Sequence, residues 1–393
     1  MFSSLMKNNM ADMNRGPLGL YLHFPFCVRK CRYCDFLSFP SDEAGREAYL
    51  QRLKKEIIVR GEKYQDYSIE TLFIGGGTPS LMTGQQLTEL LDTVRTAFHV
   101  SPSGEWTMEC NPGTTDAETL KIYRAAGINR LSFGLQSMND EALKYLGRIH
   151  TAKQFLDNYQ AARKAGFENI NIDLMSALPG QTTDSWLDTL KKAAALEPEH
   201  LSAYSLIIEE GTPFFRKKLD LPDEDTEYRM YEDVAVVLKE YGYHQYEISN
   251  YARDGYECRH NVGYWIRRDY LGFGIGAASL IDNVRFQNEK SLGAYLAHPL
   301  ESREEEQTLT VQDRMEETMF LGLRLTRGVS CVDFAEQYGR TVEEVYGEVI
   351  ARNVADGLLT VTERKENQKK DRFLALTKRG LDLSNYVMAQ FLF

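Results

Sequence analysis

Cys27, Cys31 and Cys34 stand in a C-x3-C-x2-C spacing, in a chain that carries six cysteines among 393 residues. A sparse, clustered set of this kind does not read as a secreted disulfide framework; in a reducing compartment it reads as a metal site. Thiolates are soft ligands that suit iron–sulfur clusters or zinc. A closed zinc site needs a fourth ligand, usually from a second Cys or His pair, and no second pair with that spacing occurs. Four protein thiolates close a cubane cluster, whereas three leave one iron open to an outside ligand. That iron can chelate the amino and carboxylate groups of S-adenosylmethionine, and an electron from the reduced cluster can break a sulfonium C–S bond. The triplet therefore predicts a [4Fe–4S] cluster on Cys27, Cys31 and Cys34, with S-adenosylmethionine on the open iron. Cys110, Cys258 and Cys331 are scattered and read as buried small apolar residues.

The elements that must hold such a loop alternate regularly. Leu18–Phe24, Thr71–Ile74, Trp106–Cys110, Arg130–Phe133, Ile170–Leu174 and Leu201–Ile208 are short apolar runs that read as strands. Helix-period segments follow them. Leu50, Leu53 and Ile57 share one face, and Met230, Val234, Val237 and Tyr241 share another. Six βα units in series predict a parallel sheet, in the form of a partial (β/α)6 barrel. Barrel chemistry collects on loops at the C-terminal ends of the strands, which is where the cysteine loop falls.

The organisation expected is a mobile tail at 1–16, with Met10 and Met13 as alternative starts, a core domain at 17–250 and a second domain at 251–393. Tyr264–Ala278 is rich in aromatic residues and glycine, and Ser302–Gln307 is a charged run that reads as a solvated loop. Residues 313–356 read as helical. Leu358–Thr362 and Arg372–Thr377 read as strands joined by a polar, basic loop at Glu363–Asp371. Helices followed by such a hairpin predict a smaller, mainly helical, winged-helix-like C-terminal domain. The net charge of −11 favours a surface hairpin over a nucleic-acid contact there. No apolar run is long enough for a transmembrane helix or a signal-peptide core. The expectation is a cytoplasmic protein with no nucleic-acid partner; peripheral membrane contact, and monomer against dimer, stay open.

The cysteine loop after a first strand, with Gly75-Gly76-Gly77-Thr78-Pro79 after the second, resembles the radical S-adenosylmethionine superfamily. The glycines admit close backbone approach, and no Gly-Lys-Ser/Thr follows them to make a phosphate loop. Tyr21–Cys27, Glu109–Pro112, Phe133–Ser137 and Asp173–Thr182 sharpen the likeness to the oxygen-independent coproporphyrinogen III oxidase group. The resemblance runs from about residue 17 to the C-terminus. It implies that Tyr21 and the backbone at Tyr33 contact the adenosyl part, that Gly76, Gly77 and Thr78 hold the methionine amino end, and that Glu109, Gln136, Arg148 and Asp173 hydrogen-bond the cofactor.

Two features separate subgroups. The oxidases carry a further cysteine two residues after the third, where this chain has Phe36. His260-Asn261-Val262-Gly263-Tyr264-Trp265 is similar to the H-N-x-x-Y-W motif of the HemW-type haem chaperones. That resemblance implies a protein that binds haem and passes it to acceptor proteins, with His260 as a haem ligand and Tyr264 and Trp265 lining the haem pocket. Cys258, two residues before His260, is a second candidate ligand. The alternatives are the decarboxylating oxidase itself and another radical enzyme acting on a tetrapyrrole. No catalytic residue is assigned.

Overall fold

The computed structural model describes residues 15–297, 300, 303–366 and 369–392, with the side chains of 365–369 left aside. The expected tail lies outside the described residues except for Arg15 and Gly16. Arg15 is tied down, by ion pairs to Asp66 at 2.9 Å and Asp282 at 2.7 Å.

Six βα units build the larger part: β1 (Pro17–Phe24), α1 (Glu43–Gly61), β2 (Ser68–Gly76), α2 (Gly84–Ala97), β3 (His99–Cys110), α3 (Ala117–Ala126), β4 (Arg130–Gln136), α4 (Asp140–Leu146), α5 (Ala152–Lys164), β5 (Ile170–Ser176), α6 (Thr183–Ala194), β6 (His200–Ser205) and α7 (Glu224–Glu240). The first six strands pair in sequence order and in parallel. The helices begin where the chain supplies caps. Thr83 and Thr151 form capping boxes with Gln86 and Gln154, each satisfying two backbone donors that the first turn leaves free.

The sheet does not stop at residue 250, where a domain boundary was expected. The hairpin β7 (His244–Glu247) and β8 (Asn250–Ala252) adds to β6 in antiparallel fashion. After α8 (Arg259–Trp265), the strand β9 (Tyr270–Phe273) returns to pair with β1 in parallel, Gly19 opposite Tyr270. The strands β10 (Ala278–Ile281) and β11 (Val284–Gln287), the helix α9 (Leu292–Ala297) and the strand β12 (Glu304–Thr308) follow. Twelve strands thus form one sheet with β12 and β7 at its edges, open among the described residues. The charged run expected as a loop is mostly β12. Its Glu-rich side chains face outward at a sheet edge, a common guard against edge-to-edge pairing.

A second, smaller unit follows: α10 (Val311–Gly322), β13 (Val329–Ser330), α11 (Cys331–Tyr338), α12 (Val342–Ala355), β14 (Leu359–Glu366), β15 (Lys369–Leu376), α13 (Lys378–Asp382) and α14 (Ser384–Ala389). Its three strands run in the order β13-β15-β14. The hairpin is longer than the sequence pattern suggested, so most of the basic segment is strand. Two hydrophobic cores match this division. One runs from Leu18 to Tyr295, the other from Met315 to Phe391. The change of core lies beyond 308, because residues 250–308 complete the large sheet.

One buried charge is densely bonded. Glu56 on α1 accepts from Arg60 at 2.6 Å, Tyr295 at 2.7 Å, Asn288 at 2.8 Å and the Gly274 backbone at 3.0 Å. It thereby ties α1 to the segment that carries β9, β11 and α9. No helix among the described residues is long and apolar enough to cross a membrane.

Candidate functional site

The three cysteines of the loop between β1 and α1 open onto one cavity of about 520 Å³. The glycine run after β2 fixes where that loop crosses. Gly77 N–H donates to the Phe24 carbonyl at 2.7 Å and Thr78 N–H to that of Phe26 at 2.8 Å. A Cβ on Gly77 would stand 2.7 Å from the Phe26 backbone, so a side chain there would push the cysteine loop away. Gly76 has φ +108°, and a Cβ there would lie 2.3 Å from the His23 ring. From the far side, Arg32 N–H donates to Leu146 at the end of α4, and Phe214 N–H donates to Arg32. The loop is therefore held by backbone bonds from two directions.

Donors also reach the sulfurs. Thr78 Oγ1 points to Cys27 Sγ at 3.4 Å and Arg148 Nη1 to Cys31 Sγ at 3.7 Å. Such contacts stabilise negative charge on thiolates. Among the described residues no group of three His, Cys, Asp or Glu converges on a point suited to one metal ion.

Tyr33, Gly76, Gly77, Thr78, Glu109, Gln136, Arg148 and Asp173 all line this cavity with the cysteines. Their chemistry suits a zwitterionic, sulfonium-bearing ligand. The N–H groups of Gly77 and Thr78 are used by the loop, which leaves carbonyl and hydroxyl oxygens as acceptors for an amino group. Glu109 is half-buried and accepts from Gly76 N–H at 3.1 Å. Burial, and secondarily the negative Asp173, push its carboxyl up to about 8. Asp173 is also raised, by burial, against the opposing bond from Asn171 at 2.7 Å. A raised Glu109 carboxyl beside Asp173 invites a cation. Gln136 sits at the end of β4 with φ 70°, a left-handed backbone costing about 1–2 kcal/mol; its Oε1 accepts from Tyr204 at 3.1 Å. Strain held at a cavity wall marks a position fixed for a ligand.

Asn111 and Tyr204 line the cavity too and had not been singled out. Asn111 donates to Thr78 Oγ1 at 2.8 Å and accepts from Arg148 Nη2 at 2.8 Å, so it joins the two residues that touch sulfur. Its place beside Glu109 was the available signal; Tyr204 offered none.

Tyr21 is the exception. Its ring lies outside the cysteine cavity, in the wall of a separate crevice of about 400 Å³ shared with Tyr264, Trp265, Tyr270, Ala278, Leu280, Arg285 and Leu321. Tyr21 O–H bonds His23 Nδ1 at 3.0 Å, and His23 Nε2 bonds the Leu37 carbonyl at 2.9 Å. A carbonyl only accepts, so His23 carries its proton on Nε2 and Tyr21 is the donor to Nδ1.

His260 does not reach either cavity. It is 3% exposed and stacks on Phe73 at 5.3 Å. Its Nδ1 bonds Thr71 Oγ1 at 2.8 Å and its Nε2 bonds Tyr264 Oη at 2.8 Å. Burial, with help from Arg268 and Arg130, lowers its pKa to about 3, so it is neutral at physiological pH. With both nitrogens engaged it presents no free donor to haem iron. Cys258 is fully buried, its thiol 3.8 Å from Glu105, and is equally withdrawn. Trp265 lies under the Arg324 guanidinium at 4.4 Å, so only part of its ring faces the crevice.

A family model for the radical SAM superfamily matches residues 21–193, and one for the HemN C-terminal domain matches 309–383. The heme chaperone HemW of Bacillus subtilis (strain 168) is 38% identical over 383 residues, 95% of this chain and 98% of that protein. The heme chaperone HemW of Escherichia coli (strain K12) is 38% identical over 351 residues, 88% and 92% of the two chains. The solved structure of coproporphyrinogen III oxidase (HemN) from Escherichia coli, a radical SAM enzyme, is similar with a TM-score of 0.83 at 25% identity, covering 95% of this chain and 90% of that one.

Proposed function

This chain belongs to the HemW family of the radical SAM superfamily, and on that premise we propose that it takes up haem in the cytoplasm and passes it to acceptor proteins. It does so with a [4Fe–4S] cluster on Cys27, Cys31 and Cys34 and S-adenosylmethionine beside it. When bound, the cluster and S-adenosylmethionine supply one-electron chemistry. The chain's own part is to hold them. Thr78 and Arg148 direct hydrogen bonds to the Cys27 and Cys31 sulfurs, Glu109 and Asp173 meet the cationic groups, and Arg148 offers a guanidinium to the methionine carboxylate.

The observation that carries the chaperone reading over the oxidase reading is Phe36. It stands at the mouth of the cysteine cavity, 59% exposed, where the resemblance leads one to expect a further cysteine in the decarboxylating enzymes. A phenyl ring supplies neither a thiolate nor a proton. The second reading, radical decarboxylation of coproporphyrinogen III, draws on the whole-chain likeness to the HemN structure.

Anaerobic reconstitution, with iron content measured, followed by haem titration and a coproporphyrinogen turnover assay on the same sample, separates the two. Stoichiometric haem binding without protoporphyrinogen formation is the expected result. Turnover with an intact cluster, or no haem bound at micromolar concentrations, would sink the chaperone reading.

A further inference from the structure

We propose that His200 is a positioning residue for S-adenosylmethionine, fixing through Asn171 the orientation in which the Asp173 carboxylate faces the cysteine cavity. This rests on the cofactor reading above and names what stands behind one of its proposed contacts.

The wall behind that part of the cavity is polar. Barrel interiors are usually filled by branched apolar side chains. Here β4 contributes Arg130 and Ser132, β5 contributes Asn171 and Asp173, and β6 contributes His200 and Ser202. Residues two apart share one face of a strand. The register sets Asn171 beside Ser132 and His200, and Asp173 beside Ser202. Arg130, Ser132, Asn171, His200 and Ser202 are all buried. Ser132 and Asp173 line the cavity, whereas Asn171 and His200 do not.

The hydrogen bonds among these groups run in one sense. A carboxylate only accepts, so the Asn171 amide turns its nitrogen to Asp173 Oδ1, at 2.7 Å. The same nitrogen donates to Ser132 Oγ at 2.7 Å, and Ser132 Oγ donates to Asp173 Oδ2 at 3.3 Å. The Asn171 oxygen therefore faces the other way, where His200 Nδ1 lies at 2.6 Å and Ser202 Oγ at 3.2 Å. An amide oxygen only accepts too, so the imidazole carries its proton on Nδ1. Its Nε2 must then accept, and Tyr246 Oη stands at 2.8 Å to donate. Tyr246 Oη in turn accepts from the Cys258 backbone N–H at 3.3 Å. Donation thus passes from Tyr246 to His200 to Asn171 and ends on Asp173.

Each link depends on the one behind it. Burial, with the neighbouring Arg130, holds the His200 pKa well below its ordinary value, so the ring stays neutral with one nitrogen bare. Were the tautomer reversed, Nδ1 would meet the Asn171 oxygen lone pair to lone pair. The amide would then have to turn that oxygen toward the Asp173 carboxylate. Burial raises Asp173, and the Asn171 bond is the foremost influence opposing it. His200 touches no atom of the cavity, yet it decides which end of the amide the carboxylate meets.

The test is calorimetric titration of the reconstituted full-length protein with S-adenosylmethionine, with iron content and the urea midpoint measured on the same samples. His200→Phe keeps a ring and removes the donor; it should weaken binding about tenfold, the scale of a lost hydrogen bond at a charged group. His200→Asn restores a donor near the place of Nδ1 and should return the affinity to within about threefold of wild type, although it packs worse than Phe. Asn171→Leu should weaken binding at least as much as His200→Phe, and adding His200→Phe to it should cost less than about twofold more, because the two act in series. Unchanged affinity in His200→Phe overturns the assignment, as do full multiplication of the two losses and a His200→Asn variant as weak as His200→Phe. Should His200→Phe fail to take up iron, Tyr246→Phe decides, since it removes one hydroxyl outside the cavity. A few-fold loss there supports the chain of donors, and an affinity within about twofold of wild type overturns it. No S-adenosylmethionine bound by wild type with an intact cluster removes the cofactor reading itself, a result distinct from binding that ignores His200.

Discussion

The cysteine cavity and the aromatic crevice are both served by β1, yet they solve opposite problems. The cavity gathers groups that are costly to bury, including Glu109, Asp173 and Arg148, and satisfies them mainly through bonds to one another and to backbone. The crevice gathers rings and aliphatic side chains, and two of its three tyrosine hydroxyls are tied to a group behind the wall, Tyr21 to His23 and Tyr264 to His260. One is built to hold charged cofactors in a fixed pose. The other is walled by rings and aliphatic side chains. The difference teaches that a single scaffold can keep a polar cavity and an apolar crevice apart on two sides of one strand.

The sharpest way to break this comparison is to empty one cavity. Cys34→Ala should reduce cluster iron and sulfide to background after reconstitution, while the haem Kd measured by titration changes less than ~3-fold, the expectation for sites without shared partners. Loss of haem binding in that variant would mean that the two cavities act as one. The next largest effect should be where α1 is tied to the segment carrying β9, β11 and α9. Glu56→Ala leaves Arg60 buried without its carboxylate, and should cost about 3–5 kcal/mol in a urea unfolding experiment. A cost below ~1 kcal/mol would mean that water compensates Arg60.

A smaller effect concerns protons. The Glu109 carboxyl, held at about 8 by burial and Asp173, is mostly protonated at neutral pH and must lose its proton to meet a cation. S-adenosylmethionine affinity should therefore rise with pH up to about 8 and level off above it, by at most ~10-fold per unit. Calorimetric titration on the reconstituted protein should show this slope, and Glu109→Gln should flatten it. The smallest effect is expected at the cavity mouth. Phe36→Ala should change stability by less than ~0.5 kcal/mol and leave haem affinity unchanged. A tenfold loss of haem affinity there would place the haem in the cysteine cavity.

The parts of this molecule that were legible in the sequence are those with local signatures. The strands of the six βα units show as apolar runs, and the cysteine loop follows the first of them. The residues carried over as S-adenosylmethionine contacts, apart from Tyr21, line one cavity with the cysteines, whereas His260, Tyr264 and Trp265 lie elsewhere. What was not legible depends on distant partners. The strands β7 to β12 are only three to five residues long, too short for a periodic pattern, and β9 exists as a strand because β1 is there to pair with it. Alternation along β1 places Tyr21 and His23 on one face, but not which cavity that face meets. The i, i+4 spacing of His260 and Tyr264 is visible in the chain. That both imidazole nitrogens are engaged depends on Thr71, 189 positions away.

The pairing of β1 with β9 has a consequence for how the protein is made. One edge of β1 can be covered by β2 as soon as the first βα unit has emerged. Its other edge waits for Tyr270–Phe273, roughly 250 residues later, about 12–50 s at a synthesis rate of ~5–20 residues per second. During that interval a largely apolar stretch, with Leu18, Leu20 and Leu22 among its buried residues, offers a free row of backbone donors and acceptors to any other strand. The nascent chain therefore carries its aggregation hazard at its beginning, and the segment that removes it is the one that also builds the crevice.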